Sequence, residues 1–330
     1  MLLAGDIGGT KTVLALFKEE STVEFEHVPV HEAVFPSGNF ISLEAIIDEF
    51  LKEFDVELSG ASFGVAGPVV NQQAEITNLA WVIDANKIHN AFGVNTILLN
   101  DLEAIANAVP HLKEDDLVTL HKGEPEPYGA KAVIAPGTGL GEAFLVWDGQ
   151  KYESYPSEGG HAAFAPTSFH QLDLLTYWLN KLDHVSYERL CSGIGIPNIY
   201  EYLRECGDYD EPDWLRQELA LVEDRTPLIV NTAKSGDVPI CVDTLTLFME
   251  ILGGEAANLA LKVLATGGVY IGGGIPPRII SQLQASSFMD LFQHKGRFSE
   301  MMADMPVYVI RNSNVALYGA AYEAVKAAQY

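Results

Sequence analysis

Twice in this 330-residue chain an apolar run stops at a Gly-Thr pair and resumes as a second apolar run. The first instance is Leu2-Leu3-Ala4, then Gly8-Gly9-Thr10, then Val13 to Phe17. The second is Ala132 to Ala135, then Pro136-Gly137-Thr138-Gly139, then Glu142 to Trp147. Each reads as two strands joined by a tight glycine turn. The interval is too long for a solenoid repeat and suits a duplicated domain. Gly-Thr pairs between strands are common, so each turn alone is also compatible with coincidence. A length prior of roughly 150 residues per domain agrees with two domains.

Between the two hairpins, Leu43, Ile46, Ile47, Phe50, Leu51 and Phe54 recur at helical spacing behind Ser42, a candidate N-cap. Ala61 to Ala66 and Ile97 to Leu99 read as buried strands, and strand alternating with helix predicts an α/β fold. The charged stretch Lys113 to Asp116 and the proline-containing stretch Lys122 to Gly129 mark the expected crossing between domains. Beyond it, Leu172 to Leu182 and Leu245 to Leu259 carry core-facing helical stripes. Val269 to Ile271 runs into Gly272-Gly273-Gly274, Val307 to Ile310 is a further strand, and Val315 to Ala328 a final helix.

Twenty Lys and Arg against 45 Asp and Glu give a net charge of −25, a field that repels phosphate backbones and anionic lipid heads. Neither nucleic acid nor membrane is an expected partner. Cys191, Cys206 and Cys241 form no Cys-x-x-Cys pair, which argues against a disulfide framework and against a thiolate zinc site. No basic leader precedes Asp6 and no apolar run reaches the ~18 residues of a membrane span, so the expected location is the cytoplasm.

Backbone N–H groups of glycine turns converge on phosphate oxygens where a Cβ would block the approach, so three such turns suggest a nucleotide. The Walker A spacing fails, because Thr10 stands where a glycine must precede Lys11, and neither G-x-G-x-x-G nor H-R-D occurs. What remains is Asp6-Ile7-Gly8-Gly9-Thr10-Lys11: an acid at a strand end that can hold Mg²⁺, directly or through water, while the turn and Lys11 meet phosphates.

These three segments, Asp6 to Lys11, Ala135 to Gly141 and Gly272 to Ile275, resemble in order and spacing the two phosphate loops and the adenosine loop of the actin, heat-shock chaperone and sugar kinase superfamily. Asn100-Asp101, Ser157-Glu158-Gly159-Gly160-His161 and Glu188 to Gly193 narrow the resemblance to the bacterial glucokinase family, end to end. It implies two actin-like (ribonuclease H-like) α/β domains with a cleft between them, a small one of residues 1–110 plus 311–330 and a large one of 111–310. It further implies ATP with Mg²⁺, bound by Asp6, Gly8, Gly9, Thr10, Lys11, Gly137, Thr138, Gly139, Gly272, Gly273 and Gly274. Glucose would be held by Asn100, Asp101, Glu158, His161 and Glu188, with Asp101 as the base for the 6-hydroxyl. A homodimer follows from the same likeness. Ala162 to His184 contains no cysteine, so the chain resembles the zinc-free group and no zinc is expected.

Each of these residues has a plainer role available. Asn100-Asp101 can cap the following helix through Asp101. His161 can be structural, and Glu188, in a stretch that reads as helical, can be a solvated face residue. Glu103 and Glu142 are expected at the surface or behind the site. Another hexose, polyphosphate as donor, or a non-catalytic sugar sensor are the competing functions.

Overall fold

The computed structural model describes residues 1–18, 28–76, 79–207 and 209–329. The chain divides into two compact units, Met1–Lys113 with Asn312–Tyr330, and Glu114–Arg311. The divide falls inside the charged stretch Lys113 to Asp116, whereas Lys122 to Gly129 lies within the second unit.

The first unit contains β1 (Leu2–Ile7), β2 (Lys11–Phe17), β3 (His31–Pro36), β4 (Gly60–Val65), β5 (Val69–Val70), β6 (Gln73–Glu75), β7 (Val82–Asp84) and β8 (Thr96–Asn100). Its main sheet has the order β3-β2-β1-β4-β8, and β5-β6-β7 form a small separate sheet. β1 is antiparallel to β2 and parallel to β4, which is parallel to β8. Both faces of the central strands are covered, which is why β1 and β4 read as continuous apolar runs rather than alternating ones. Leu3 and Ile7 pack with Leu43, Ile46, Ile47 and Phe50 of helix Leu43–Leu51, which begins where Ser42 Oγ accepts the Ala45 N–H at 3.3 Å. On the other face Leu2, Ala4 and Ala15 pack with Leu317, Ala320, Ala321 and Ala324 of helix Val315–Ala327.

That last helix reaches the unit because its contact surface is made of small residues. A Cβ on Gly319 would collide with the Ala104 carbonyl of helix Asp101–Ala108. Gly319→Ala is therefore expected to cost roughly 1–3 kcal/mol as overpacking. It should lower the urea midpoint without changing the slope of the transition; an unchanged midpoint would reject this packing account.

The second unit contains β9 (Leu117–His121), β10 (Lys131–Pro136), β11 (Leu140–Trp147), β12 (Tyr152–Ser157), β13 (Gly268–Ile271) and β14 (Val307–Ile310) in the order β12-β11-β10-β13-β14-β9. β10 is antiparallel to β11 and parallel to β13, which is parallel to β14. The first five strands thus repeat the plan of the first unit, so the likeness of the two hairpins extends to the whole sheet. β9, which the sequence did not suggest, adds an antiparallel edge. Helix Pro239–Val263 runs through the core with Leu245, Phe248, Leu252 and Ala256 buried.

Candidate active site

In each unit the motif residues stand at the carboxyl ends of parallel strands, the edge where open α/β sheets bind ligands. In the first unit, Ile7, Val65 and Asn100 lie in register at that edge of β1, β4 and β8. The first glycine turn closes there through the Gly8 N–H to the Lys11 carbonyl at 3.0 Å. Ser37 pins it from the side: its Oγ donates to the Gly8 carbonyl at 2.7 Å and its N–H to the Thr10 carbonyl at 3.0 Å. The Thr10 and Lys11 side chains stand exposed.

Asn100, not Asp101, is the N-cap of helix Asp101–Ala108: its Oδ1 accepts the Glu103 N–H at 2.6 Å. The Glu103 carboxylate in turn accepts the Asn100 N–H, completing a capping box. The acceptor of Asn100 is therefore occupied, and its amide N–H₂ is what it can offer a ligand. Asp101 is left as the first residue of the helix, with Oδ1 accepting the Leu102 N–H at 2.9 Å. Although solvent reaches the residue, desolvation around its carboxyl raises the Asp101 pKa, outweighing the N–H groups of Leu102 and Asp101 that pull it down. Asp6 is pushed up to about 6, first by burial and then by the charge of Asp101, against a smaller opposite pull from Lys11. In register between Asp6 and Leu99 stands Gly64, which puts no side chain between the two acids.

In the second unit the glycine turns after β10 and β13 meet. Gly272 N–H donates to the Ile134 carbonyl at 2.8 Å and Ile275 N–H to the Pro136 carbonyl at 3.3 Å. Gly273 has φ +82° and a Cβ there would run into the Pro136 carbonyl, so both conformation and space require glycine. The turn Gly137 to Gly139 is closed by the Gly137 N–H to the Gly139 carbonyl at 2.9 Å and held by Gly193 N–H on the Gly137 carbonyl at 2.7 Å.

Glu188 lies in a turn rather than a helix, which corrects the expectation from its neighbours. Its Oε2 accepts the Leu140 N–H at 3.0 Å, tying it to the end of that glycine turn, and its N–H donates to the Gly160 carbonyl at 2.9 Å. His161 ends the single turn Gly159–His161, and its ring lies between two carboxylates: Nε2 is 3.8 Å from Glu158 and Nδ1 is 3.7 Å from Glu188. Glu158 is largely exposed and Glu188 only 24% so. Glu158, His161 and Glu188 are thus brought together beside the second glycine turn.

Sequence reasoning missed two supports. Ser37 and Ser192, whose Oγ donates to the Glu188 carbonyl at 2.6 Å, gave no signal beyond a hydroxyl in a loop. Glu142 is 1% exposed, which excludes the surface and leaves the other expectation, a group behind the site. A single acid in the otherwise apolar run Leu140 to Trp147 was the signal for it.

Donor chemistry bears on Mg²⁺. Asp6, buried beside the charge of Asp101, offers hard carboxylate oxygens that suit a divalent cation. Among the described residues no cluster of three or more His, Cys, Asp or Glu could hold a metal ion by itself, and no helix is long and apolar enough to cross a membrane.

The chain is 40% identical to a glucokinase of Nostoc punctiforme and 38% identical to one of a Nostoc species, each over 99% of both chains. A solved glucokinase from an Antarctic psychrotroph superposes with a TM-score of 0.86 at 32% identity, covering 98% of each chain. The family model described as glucokinase matches residues 3–327. With that match spanning nearly its whole length, and relatives of this identity covering it end to end, the chain belongs to the glucokinase family of enzymes.

Proposed function

We propose that this chain transfers the γ-phosphoryl group of ATP to the 6-hydroxyl of glucose, with Asp101 as the general base. The observation that carries the reading is the Asp101 carboxyl: reachable by solvent, relieved of capping by Asn100, and raised in pKa toward a base's working range. As the sugar oxygen bonds to the γ-phosphorus, its proton passes to Asp101, and the bond from phosphorus to the bridging oxygen of ADP breaks. Asn100 donates from its amide to a sugar hydroxyl; Glu158, His161 and Glu188 hold the others. The glycine turns and Lys11 orient the phosphates, since phosphoryl transfer is mostly positioning and charge neutralisation. Asp6 would hold Mg²⁺, directly or through water, and the ion when bound supplies charge neutralisation at the phosphates. The protein acts in the cytoplasm as a homodimer, which sedimentation at working concentration tests.

A coupled assay for sugar phosphate tests the reaction, with ATP or polyphosphate as donor and glucose, mannose or fructose as acceptor. Product from ATP and glucose is expected; product only with polyphosphate, or only with another hexose, would sink the assignment. Sugar binding has its own test. Glu188→Gln keeps an acceptor for Leu140 but removes the charge, and should weaken glucose binding by roughly 1.5–3 kcal/mol in calorimetry while ATP binding hardly moves. Unchanged glucose affinity would make Glu188 only a support for the turn.

A further inference from the structure

Beneath the turn Gly159–His161 lie two buried carboxyl groups that the proposed reaction does not use. Glu142 on β11 is 1% exposed and Glu255 on helix Pro239–Val263 is 0% exposed. Among the described residues neither oxygen of Glu142 has a donor, and Glu255 is near enough for its charge and a side-chain hydrogen bond to act on the Glu142 carboxyl. Two ionised carboxylates cannot make that bond, because neither has a proton to give. Glu142 also touches the turn above: a Cβ on Gly159 would collide with Glu142 Oε2, and Ser157, the partner of Glu142 in the β11–β12 register, accepts the Gly159 N–H at 3.0 Å.

We propose that Glu142 and Glu255 share one proton, and that the singly charged pair positions the turn carrying Glu158 and His161 for sugar binding. The second half rests on the reading that this turn receives glucose.

The surroundings say which partner carries the proton. Glu255 has cationic and amide help: Lys262 Nζ stands 3.6 Å from its Oε1 and the Asn258 amide donates to its Oε2 at 2.9 Å. Asn258 is itself fixed by the Tyr187 hydroxyl at 2.9 Å and by Lys295 Nζ at 2.7 Å. Tyr187 and the buried Cys191 thiol face the pair without positive charge, Tyr187 raised in pKa by burial and by Glu255, Cys191 by burial and by both acids. Lys295, lowered by its burial and pulled up again by Glu255, adds a second cation on the Glu255 side. Glu142, with no donor, is the acid that stays neutral. Burial first and the Glu255 charge second push it up to about 8, with Lys262 pulling the other way.

The folded chain then keeps a proton that an unfolded glutamate gives up in the ordinary carboxylate range. Folding stability must fall as pH rises from that range toward about 8. Above it, two charges face each other under Gly159 and the turn is pushed from its place.

The test is glucose affinity by calorimetry at about pH 7.5 and about pH 9.5, both on the alkaline side of histidine titration. The full chain, Glu142→Gln and Glu255→Gln are compared. Wild-type affinity should drop several-fold between the two, ATP affinity should not follow, and either glutamine should flatten the ratio, because an amide keeps the contact without a titrating proton. Infrared spectra near neutral pH should contain a protonated-carboxyl band that Glu142→Gln removes. A pH-independent wild type, a glutamine variant that keeps the wild-type ratio, or a missing band overturns the proposal. If one variant fails to fold, the other and the band decide. Glucose bound at neither pH would overturn the functional reading and the positioning half with it, and the band would still decide the shared proton.

Discussion

Replacing Asp101 by asparagine is expected to lower turnover at saturating glucose by roughly 10²–10⁴ while leaving the melting temperature close to that of the parent. Had Asp101 been the cap, the variant would have tested little, because asparagine caps about as well as aspartate. The cap is Asn100, whose Oδ1 takes the Glu103 N–H, so helix Asp101–Ala108 keeps its first turn in the variant. What Asp101 gives the fold is one acceptor for the Leu102 N–H, and an asparagine Oδ1 serves equally. Losing a negative charge at a helix start costs about 0.3–1 kcal/mol, offset by relief of the repulsion that raises Asp6. What asparagine cannot do is accept the proton of the sugar hydroxyl. The acid limb of kcat/KM gives a second reading: below its raised pKa Asp101 is protonated and inactive, so the limb should lie above the ordinary aspartate range and change in the variant. A protein that melts normally and turns over near the parent rate would remove Asp101 from the chemistry.

The elements that were legible in the sequence are those whose cause is local. Glycine turns between apolar runs announced both hairpins, because strands covered on both faces read as apolar runs, and the third turn was legible because only glycine serves where Gly273 turns back on Pro136. Ser42 was legible as a cap for the same reason. What escaped depends on partners distant in sequence. β9 is half-buried and gains its place by pairing with β14, nearly two hundred residues on, so its own residues signal little. The cap was expected at Asp101 and is Asn100, since the choice depends on how β8 hands the chain to the helix. Glu188 looked helical, yet its turn is fixed by bonds to Gly160 and Leu140 on another part of the chain. The burial of Glu142 was signalled by its place as the lone acid of an apolar run, but not its neighbours there, Glu255 and Gly159, which come from other segments.

Gly137→Ala should move stability and activity in opposite directions. Unlike Gly273, Gly137 has no positive φ, and a Cβ built on it meets nothing within 4 Å. The protein therefore has no need of glycine there. Alanine at a compatible position stabilises by about 0.4–1 kcal/mol, because the unfolded chain loses freedom, so the melting temperature should rise slightly. The carbonyl of Gly137 is already held by the Gly193 N–H and its own N–H by Gly139, which leaves the turn little freedom to give way. If phosphate oxygens occupy the open space above the turn, the new methyl group displaces them, and a shift of about 1 Å can cost 10²-fold in rate. The expected result is kcat/KM for ATP down by roughly that factor, with glucose affinity in calorimetry unaltered. Gly274→Ala is the companion variant, since its Cβ also meets nothing, and the same pair of signs is expected at the adenosine end with a smaller loss. Variants that gain stability and keep the parent kcat/KM for ATP would mean that no ligand comes near either glycine, and the nucleotide would have to bind elsewhere.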